Sequence, residues 1–485
     1  MTKSISTRVT AAIGALALGI LGAVAVSAPA SAAPGPNLTP GDTGTITVHK
    51  HKQPLVSGAP ATGADQGILP DPIAGVVFSV TPVNDVDLFT NEGWDDAADL
   101  ASGLAGAADP DEYIADNLTL GTAVNLAATN PQGVAVSGAL PIGLYLVREV
   151  SQPANVVAPA APFLVTVPLP PLEAGDGWNY AIHVYPKNAV ADAPVKSLDT
   201  TGAYALGSTV TWTVAAKIPA FANGSDLTSY VITDDLDSRL TYTAPARVFV
   251  DGVQVPANAV TISATDPVTV TFTEPGLNLL RANAGKDVVV EIDTVVNGTG
   301  TIVNTAVTNV NGRTFTTQPV DTTWVPVKVI KVDTESPETK LAGAVFAVYT
   351  QETGGTPLAF PGNAAGEFTT NASGEVVIPG LKADGTTVYW LEEVRAPEGY
   401  SALTARVPVS VDENDQAIAL PIVPGETAGT VVTVERVIDN SRLLAWELPL
   451  TGGDGALWFG VGGAALVAVA LGAAALVARR AKANA

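Results

Sequence analysis

The sequence predicts an all-β chain: three tandem β-sandwiches between two apolar ends. Three observations lead there. Val and Thr are dense, and short apolar runs are punctuated by Gly, Pro, Asn and Asp. Segments such as Thr45-Ile46-Thr47-Val48-His49-Lys50 alternate strictly between apolar and polar residues, the period of a half-buried strand. Two Pro-rich seams, around Ala191–Pro194 and Pro319–Pro326, divide the body into three lengths suited to sandwich domains.

The N-terminus carries Lys3 and Arg8, then an apolar stretch from Val9 to Val26, then Ala30-Ser31-Ala32. Small residues at those last positions fit a signal-peptidase site, so residues 1–32 are assigned as a cleaved signal peptide. At the other end, Leu448-Pro449-Leu450-Thr451-Gly452 precedes an uncharged apolar run from Ala456 to Ala478 and a basic tail, Arg479-Arg480-Ala481-Lys482. Such a run is long enough for a membrane-spanning helix, which needs about 20 residues, and the basic tail holds its end in the cytoplasm. Both ends are left out of fold reasoning.

Between them lie 33–190, 191–322 and 323–445. The first and third repeat each other. Ile73-Ala74-Gly75-Val76-Val77-Phe78-Ser79-Val80 matches Leu341-Ala342-Gly343-Ala344-Val345-Phe346-Ala347-Val348. Tyr145-Leu146-Val147-Arg148-Glu149-Val150 matches Tyr389-Trp390-Leu391-Glu392-Glu393-Val394. Each is the size of an immunoglobulin-like sandwich, and the middle part reads as a different variant. A helical stretch over Asp95 to Leu104 reads as an insertion in the first domain.

Composition excludes several function classes. The net charge of −23 argues against a nucleic-acid surface. No P-loop, GxSxG or zinc signature is present. Cysteine is absent although export permits disulfides, so an exported chain of this length needs another defence against proteolysis.

Strand parity gives the main chemical clue. Val325, Val327, Val329 and Lys331 share one apolar face, which places Lys331 in a core. Ile46, Val48 and Lys50 do the same in the first domain. A lone buried ammonium is costly and tends to lose its proton, so a partner is required. Parity supplies inward acids: Glu393 with Tyr389 and Leu391, Glu149 with Tyr145 and Val147, Asp234 with Ile232 and Leu236. It also supplies inward amides: Asn440 with Ile438, Asn304 with Ile302 and Ala306, Asn188 with Ile182 and Val184.

Tyr389 through Tyr400, reading Tyr-Trp-Leu-Glu-Glu-Val-Arg-Ala-Pro-Glu-Gly-Tyr, resembles the E-box YxLxETxAPxGY of Gram-positive sortase-assembled pilins, with Val394 at the usual Thr position. Trp178-Asn179-Tyr180-Ala181-Ile182-His183-Val184-Tyr185-Pro186-Lys187 resembles the pilin motif WxxxVxVYPK, with Ile182 for its first Val. The C-terminal signal resembles LPxTG. The resemblance spans the chain. It implies Cna-type domains, B-type for the third, and the role of a major shaft subunit of a fimbria on the cell surface and wall, supporting adhesion.

It also implies chemistry. Lys331 would join Asn440 through an intramolecular isopeptide bond assisted by Glu393, and Lys196 would join Asn304 assisted by Asp234. For Lys50, Asn188 and Glu149 the sequence shows a compatible trio, but Tyr145–Val150 lacks the Ala-Pro-x-Gly-Tyr continuation, so a plain buried ion pair is the favoured reading there. Parity turns His183, Tyr185 and Lys187 outward and Asn188 inward. A pilin-specific sortase would cleave between Thr451 and Gly452 and pass Thr451 to Lys187 of the next copy. This is an open, head-to-tail contact that builds filaments. Implied partners are that sortase, a housekeeping sortase with its peptidoglycan precursor, other copies of the chain and a minor tip pilin, with room for a host surface ligand. The alternatives are a monomeric wall-anchored adhesin or a minor tip or base pilin. No cofactor, no metal and no enzymatic turnover are expected beyond the internal self-modification.

Two weaker signals complete the reading. His49 and His51 share a strand face, a pair of metal-ligand type, but a chain with three His and no Cys argues against a metal. Asp109, Asp111 and Glu112 read as a solvated loop. Asp234-Asp235-Leu236-Asp237 has calcium-ligand chemistry, but Asp234 is better explained as the inward acid.

Overall fold

The computed structural model describes residues 37–443 apart from 57–60, 68, 172–176, 223–226, 244 and 412–433. The signal peptide, the Leu448–Gly452 motif and the apolar C-terminal run lie outside the described residues. Among the described residues no helix is long and apolar enough to cross a membrane.

The first sandwich packs strand Thr43–His49 between Val134–Val136 (antiparallel) and Ala181–Val184 (parallel). Facing it is the sheet of Val124–Asn125, Val77–Val83, Gly143–Ser151 and Phe163–Val167. Ile46, Val48, Phe78, Tyr145, Val147 and Ile182 meet in its core. The helical insertion runs Asn91–Gly106, starting earlier than the sequence pattern, because Thr90 caps it by accepting from Gly93 N at 3.0 Å. A second helix, Pro110–Asn117, replaces the expected loop. Asp109 Oδ1 accepts from the backbone N–H of Asp111 and Glu112, and Pro110 occupies the first turn, where its missing N–H costs nothing. The acidic run is therefore a helix start, which favours anionic side chains.

The middle sandwich stacks two antiparallel sheets around Trp212, Tyr230, Ile232 and Trp324. Its long strands, such as Asp287–Val296, alternate buried and half-exposed residues along their length. The short helix Glu274–Ala282, which the sequence pattern did not reveal, buries Leu277 and Leu280 against this core.

The third sandwich repeats the first in detail. Strand Val320–Asp333 runs parallel to Val434–Asn440 and antiparallel to Glu375–Lys382, and Val345–Tyr349 pairs with Val388–Arg395. Phe78 faces Glu149 across its ladder as Phe346 faces Glu393, each just past a register shift. Lys50 N donates to Gly133 O as Lys331 N donates to Gly374 O. Thr129 and Thr370 make the same pair of backbone contacts in the two domains.

The second Pro-rich seam is not a linker. Val320–Asp333 is one unbroken strand whose first part pairs with Gly300–Asn304 of the middle sandwich and whose later part belongs to the third. The ladder tolerates Pro326 because a register shift falls between Val325 and Val327, and a bulge needs no N–H at that point. Further contacts tie the same pair: Leu206 N donates to Gly380 O, and Tyr389 OH donates to Tyr204 O at 3.0 Å.

Candidate functional site

Each sandwich buries one lysine among apolar side chains. Lys50 and Lys331 are fully buried and Lys196 is 6% exposed. Each ammonium lies near an aromatic face: Lys50 near Phe78 at 5.5 Å, Lys196 near Trp212 at 5.4 Å and Lys331 near Phe346 at 5.9 Å.

In the third sandwich Lys331 Nζ donates to Asn440 Oδ1 at 2.5 Å. Asn440 Nδ2 donates to both oxygens of Glu393, at 2.8 and 2.9 Å, and Glu393 Oε1 lies 3.4 Å from Lys331 Nζ. Leu403 N donates to Glu393 Oε2 and fixes the carboxyl. Nucleophile, amide carbonyl and acid thus close a triangle out of water.

The first sandwich builds the same triangle. Lys50 Nζ donates to Asn188 Oδ1, Asn188 Nδ2 donates to Glu149 Oε1 at 2.7 Å, and Glu149 Oε2 lies 3.0 Å from Lys50 Nζ. In both domains the Asn stands opposite the residue two past the Lys: Asn188 opposite Lys52, Asn440 opposite Asp333. The missing Ala-Pro-x-Gly-Tyr continuation does not alter this geometry, for a visible reason. In the third sandwich that segment sends Tyr400 OH to Asp333 Oδ2, where Arg442 also binds, rather than to the trio.

The middle trio is assembled differently. Lys196 Nζ donates to Asp234 Oδ2. Asn304 is 2% exposed and lies against Asp234, but neither of its amide atoms nor Asp234 Oδ1 is in a well-formed hydrogen bond. An orphaned buried amide is expensive, by about 1–3 kcal/mol.

Burial shifts all three lysines toward the neutral amine, each against the pull of its acid. Burial pulls Lys50 down to about 8 against the opposing pull of Glu149. Burial likewise lowers Lys196 and Lys331, each opposed by its acid. Burial raises Asp234, with Lys196 opposing.

The exposed-lysine motif departs from strict parity at one residue. Ile182, Val184 and Asn188 are buried, and Lys187 is half-buried, beginning the strand Lys187–Val190. Tyr185, expected outward, is 7% exposed. Its ring stacks on His49 at 4.6 Å, and its OH accepts from Gln66 N at 2.6 Å, so the 61–67 loop covers it. Trp178 packs against Trp94 of the helical insertion, and its Nε1 donates to Asn37. Pro186 is half-buried at the break between the two short strands. His49 pairs with His183 rather than with His51, which bonds Pro70 O instead.

Residues 41–189 match the model of the Gram-positive pilin subunit D1 N-terminal domain, and residues 325–423 match a prealbumin-like fold domain. The chain is 31% identical over 539 residues to the fimbrial subunit type 2 of Actinomyces naeslundii, covering 99% of this chain and 97% of that protein. It is 29% identical over 533 residues to the fimbrial subunit type 1 of Actinomyces viscosus, covering 94% and 95%. Among solved structures, the full-length major pilin SpaD of Corynebacterium diphtheriae superposes with a TM-score of 0.67 at 25% identity, covering 84% of this chain and 99% of that one. The chain belongs to the Gram-positive fimbrial subunit (pilin) family, as a structural subunit of the fimbrial shaft.

Proposed function

We propose that copies of this chain are joined covalently, Thr451 of one to Lys187 of the next, and that each copy is locked internally by Lys50–Asn188, Lys196–Asn304 and Lys331–Asn440 isopeptide bonds. The units so locked are 33–190, 191–322 and 323–445, the last two sharing one continuous strand.

The Lys331–Asn440–Glu393 triangle is the observation behind the internal bonds. A neutral Lys331 Nζ attacks Asn440 Cγ. Glu393, 3.4 Å from Nζ and hydrogen-bonded to the amide nitrogen, takes the proton that Nζ gives up and passes it to Nδ2, and ammonia leaves as the new C–N bond replaces the old one. The fold holds the reactants in contact, so the step is unimolecular. Glu149 Oε1 accepts from Asn188 Nδ2, and Asp234 touches Lys196. A cross-link closing about 100 residues stabilises by roughly 4–5 kcal/mol in the loop-entropy model, the role disulfides play elsewhere.

The intermolecular bond rests on Lys187, half-exposed at the end of the motif. A sortase thiol attacks the Thr451 carbonyl and expels the Gly452 amine, and Lys187 Nζ of another copy then displaces the thiol. A free lysine is neutral only about one part in a few thousand at pH 7, so the sortase supplies the deprotonating surroundings. A housekeeping sortase transfers the last subunit to a peptidoglycan precursor, and a tip pilin starts the fibre. Tandem mass spectrometry of wall material tests this. The expected peptide joins Thr451 to Lys187; linkage through another lysine overturns the assignment.

A further inference from the structure

Only three histidines occur in the chain, and the fold brings two of them together. His49 ends strand Thr43–His49, and His183 lies on the parallel strand Ala181–Val184. His49 Nε2 and His183 Nδ1 are 2.9 Å apart. The 61–67 loop folds over them: His183 N and Asn179 Nδ2 both donate to Gly63 O, and Tyr185 OH holds Gln66 N and Ala64 O. This brings Asp65 Oδ1 to 3.7 Å from the same His183 Nδ1.

We propose that His49, His183 and Asp65 form a binding site for one divalent transition-metal ion of zinc type. The three donor atoms lie within 4.8 Å of one another. Ligand atoms around a tetrahedral zinc stand about 3.3 Å apart, given bonds near 2.0–2.1 Å, so small side-chain rotations suffice. His183 Nδ1 faces both an imidazole nitrogen and a carboxylate oxygen. A proton there serves one of them; a cation serves all three.

The donor set selects the ion. Two imidazoles and one carboxylate suit zinc and its first-row neighbours, whereas calcium and magnesium prefer oxygen alone. The His49 ring is stacked between His183 at 5.1 Å and Tyr185 at 4.6 Å, which fixes its direction. Asp65 is exposed, and the adjoining cleft between Thr62, Pro170, Asn179 and Ala181 leaves a fourth position open to solvent. A bound ion clasps the 61–67 loop onto the two strands that lead into Lys50 and Lys187.

The test titrates zinc chloride alone into the purified, chelator-stripped full-length chain by calorimetry, with metal content measured in parallel. The expected result is saturable binding of one ion per chain, with a melting temperature that rises with zinc and falls back with chelator. His183→Gln and Asp65→Asn should each weaken binding by roughly tenfold or more. His51→Gln should leave it intact, and ring-nitrogen NMR should show two of the three imidazoles shifting. Asp65 lies on an exposed loop, so its variant tests the site even if His183→Gln fails to fold. Absence of saturable binding in the unaltered chain overturns the proposal, as does undiminished binding in a folded Asp65→Asn or His183→Gln variant.

Discussion

Lys187 and Asn188 are consecutive residues of one strand that face opposite ways. Asn188 is fully buried, with Lys50 Nζ donating to its carbonyl, while Lys187 remains half-exposed with no ion-pair partner among the described residues. The proposed intermolecular and intramolecular bonds of the first domain are therefore carried by adjacent positions. The proposed internal bond would anchor the strand from which the proposed external one is made.

The two roles separate by mutation. Lys187→Ala should abolish high-mass ladders in wall extracts, seen by denaturing electrophoresis. It should leave the melting temperature and the internal bonds unchanged, because Asn188 keeps its contacts.

Each internal bond releases ammonia, so the intact mass should fall short of the sequence mass by about 17 Da per bond, near 51 Da for three. Glu393→Ala should restore about 17 Da beyond its own mass change and cost roughly 4–5 kcal/mol of stability, read by denaturant unfolding. Glu149→Ala should do the same for the first domain. A shortfall of about 34 Da in the unaltered chain, unmoved by Glu149→Ala, identifies the first trio as an ion pair.

The middle trio has a different signature. Asp234→Ala removes the carboxyl that holds Lys196 and leaves a buried amine without a partner, a change that costs about 3–5 kcal/mol. Lys196→Met also removes the cross-link and leaves Asp234 buried without its lysine. Both variants should therefore lose stability in thermal unfolding, and both lack the same ammonia-loss step.

Lys50 gives a pH test. Its folded-state pKa, about 8, lies below its ordinary 10.5. In Asn188→Ala, where no bond can form, the unfolded chain keeps a proton between those values that the folded chain has released. Stability should then rise with pH across that window, with the full penalty below pH 8 and none above 10.5. The unaltered chain, its Lys50 nitrogen in an amide, should show no such rise. Denaturant midpoints at pH 7.5 and pH 10, roughly the two sides of the window, check this.

Much of the site was legible because strand parity is local. Ile46, Val48 and Lys50 must share a face whatever surrounds them, and so must Tyr389, Leu391 and Glu393. What escaped the sequence depends on distant chain. Tyr185 is outward by parity, yet the 61–67 loop buries it. Pro319–Pro326 reads as a seam between two domains, yet neighbours from two sandwiches extend it as a strand. Asp109 and Pro110 are a helix start whose short helix has too little periodicity to announce itself.

By itself, then, the chain's order of residues determined the sandwich architecture and the inward lysines, acids and amides. All of these follow from alternation and from contiguous residues. Only the tertiary structure decided that the first trio is built like the third, and that His49 turns to His183. Those are contacts between residues up to 138 positions apart, fixed by sheet register and not by neighbours in sequence.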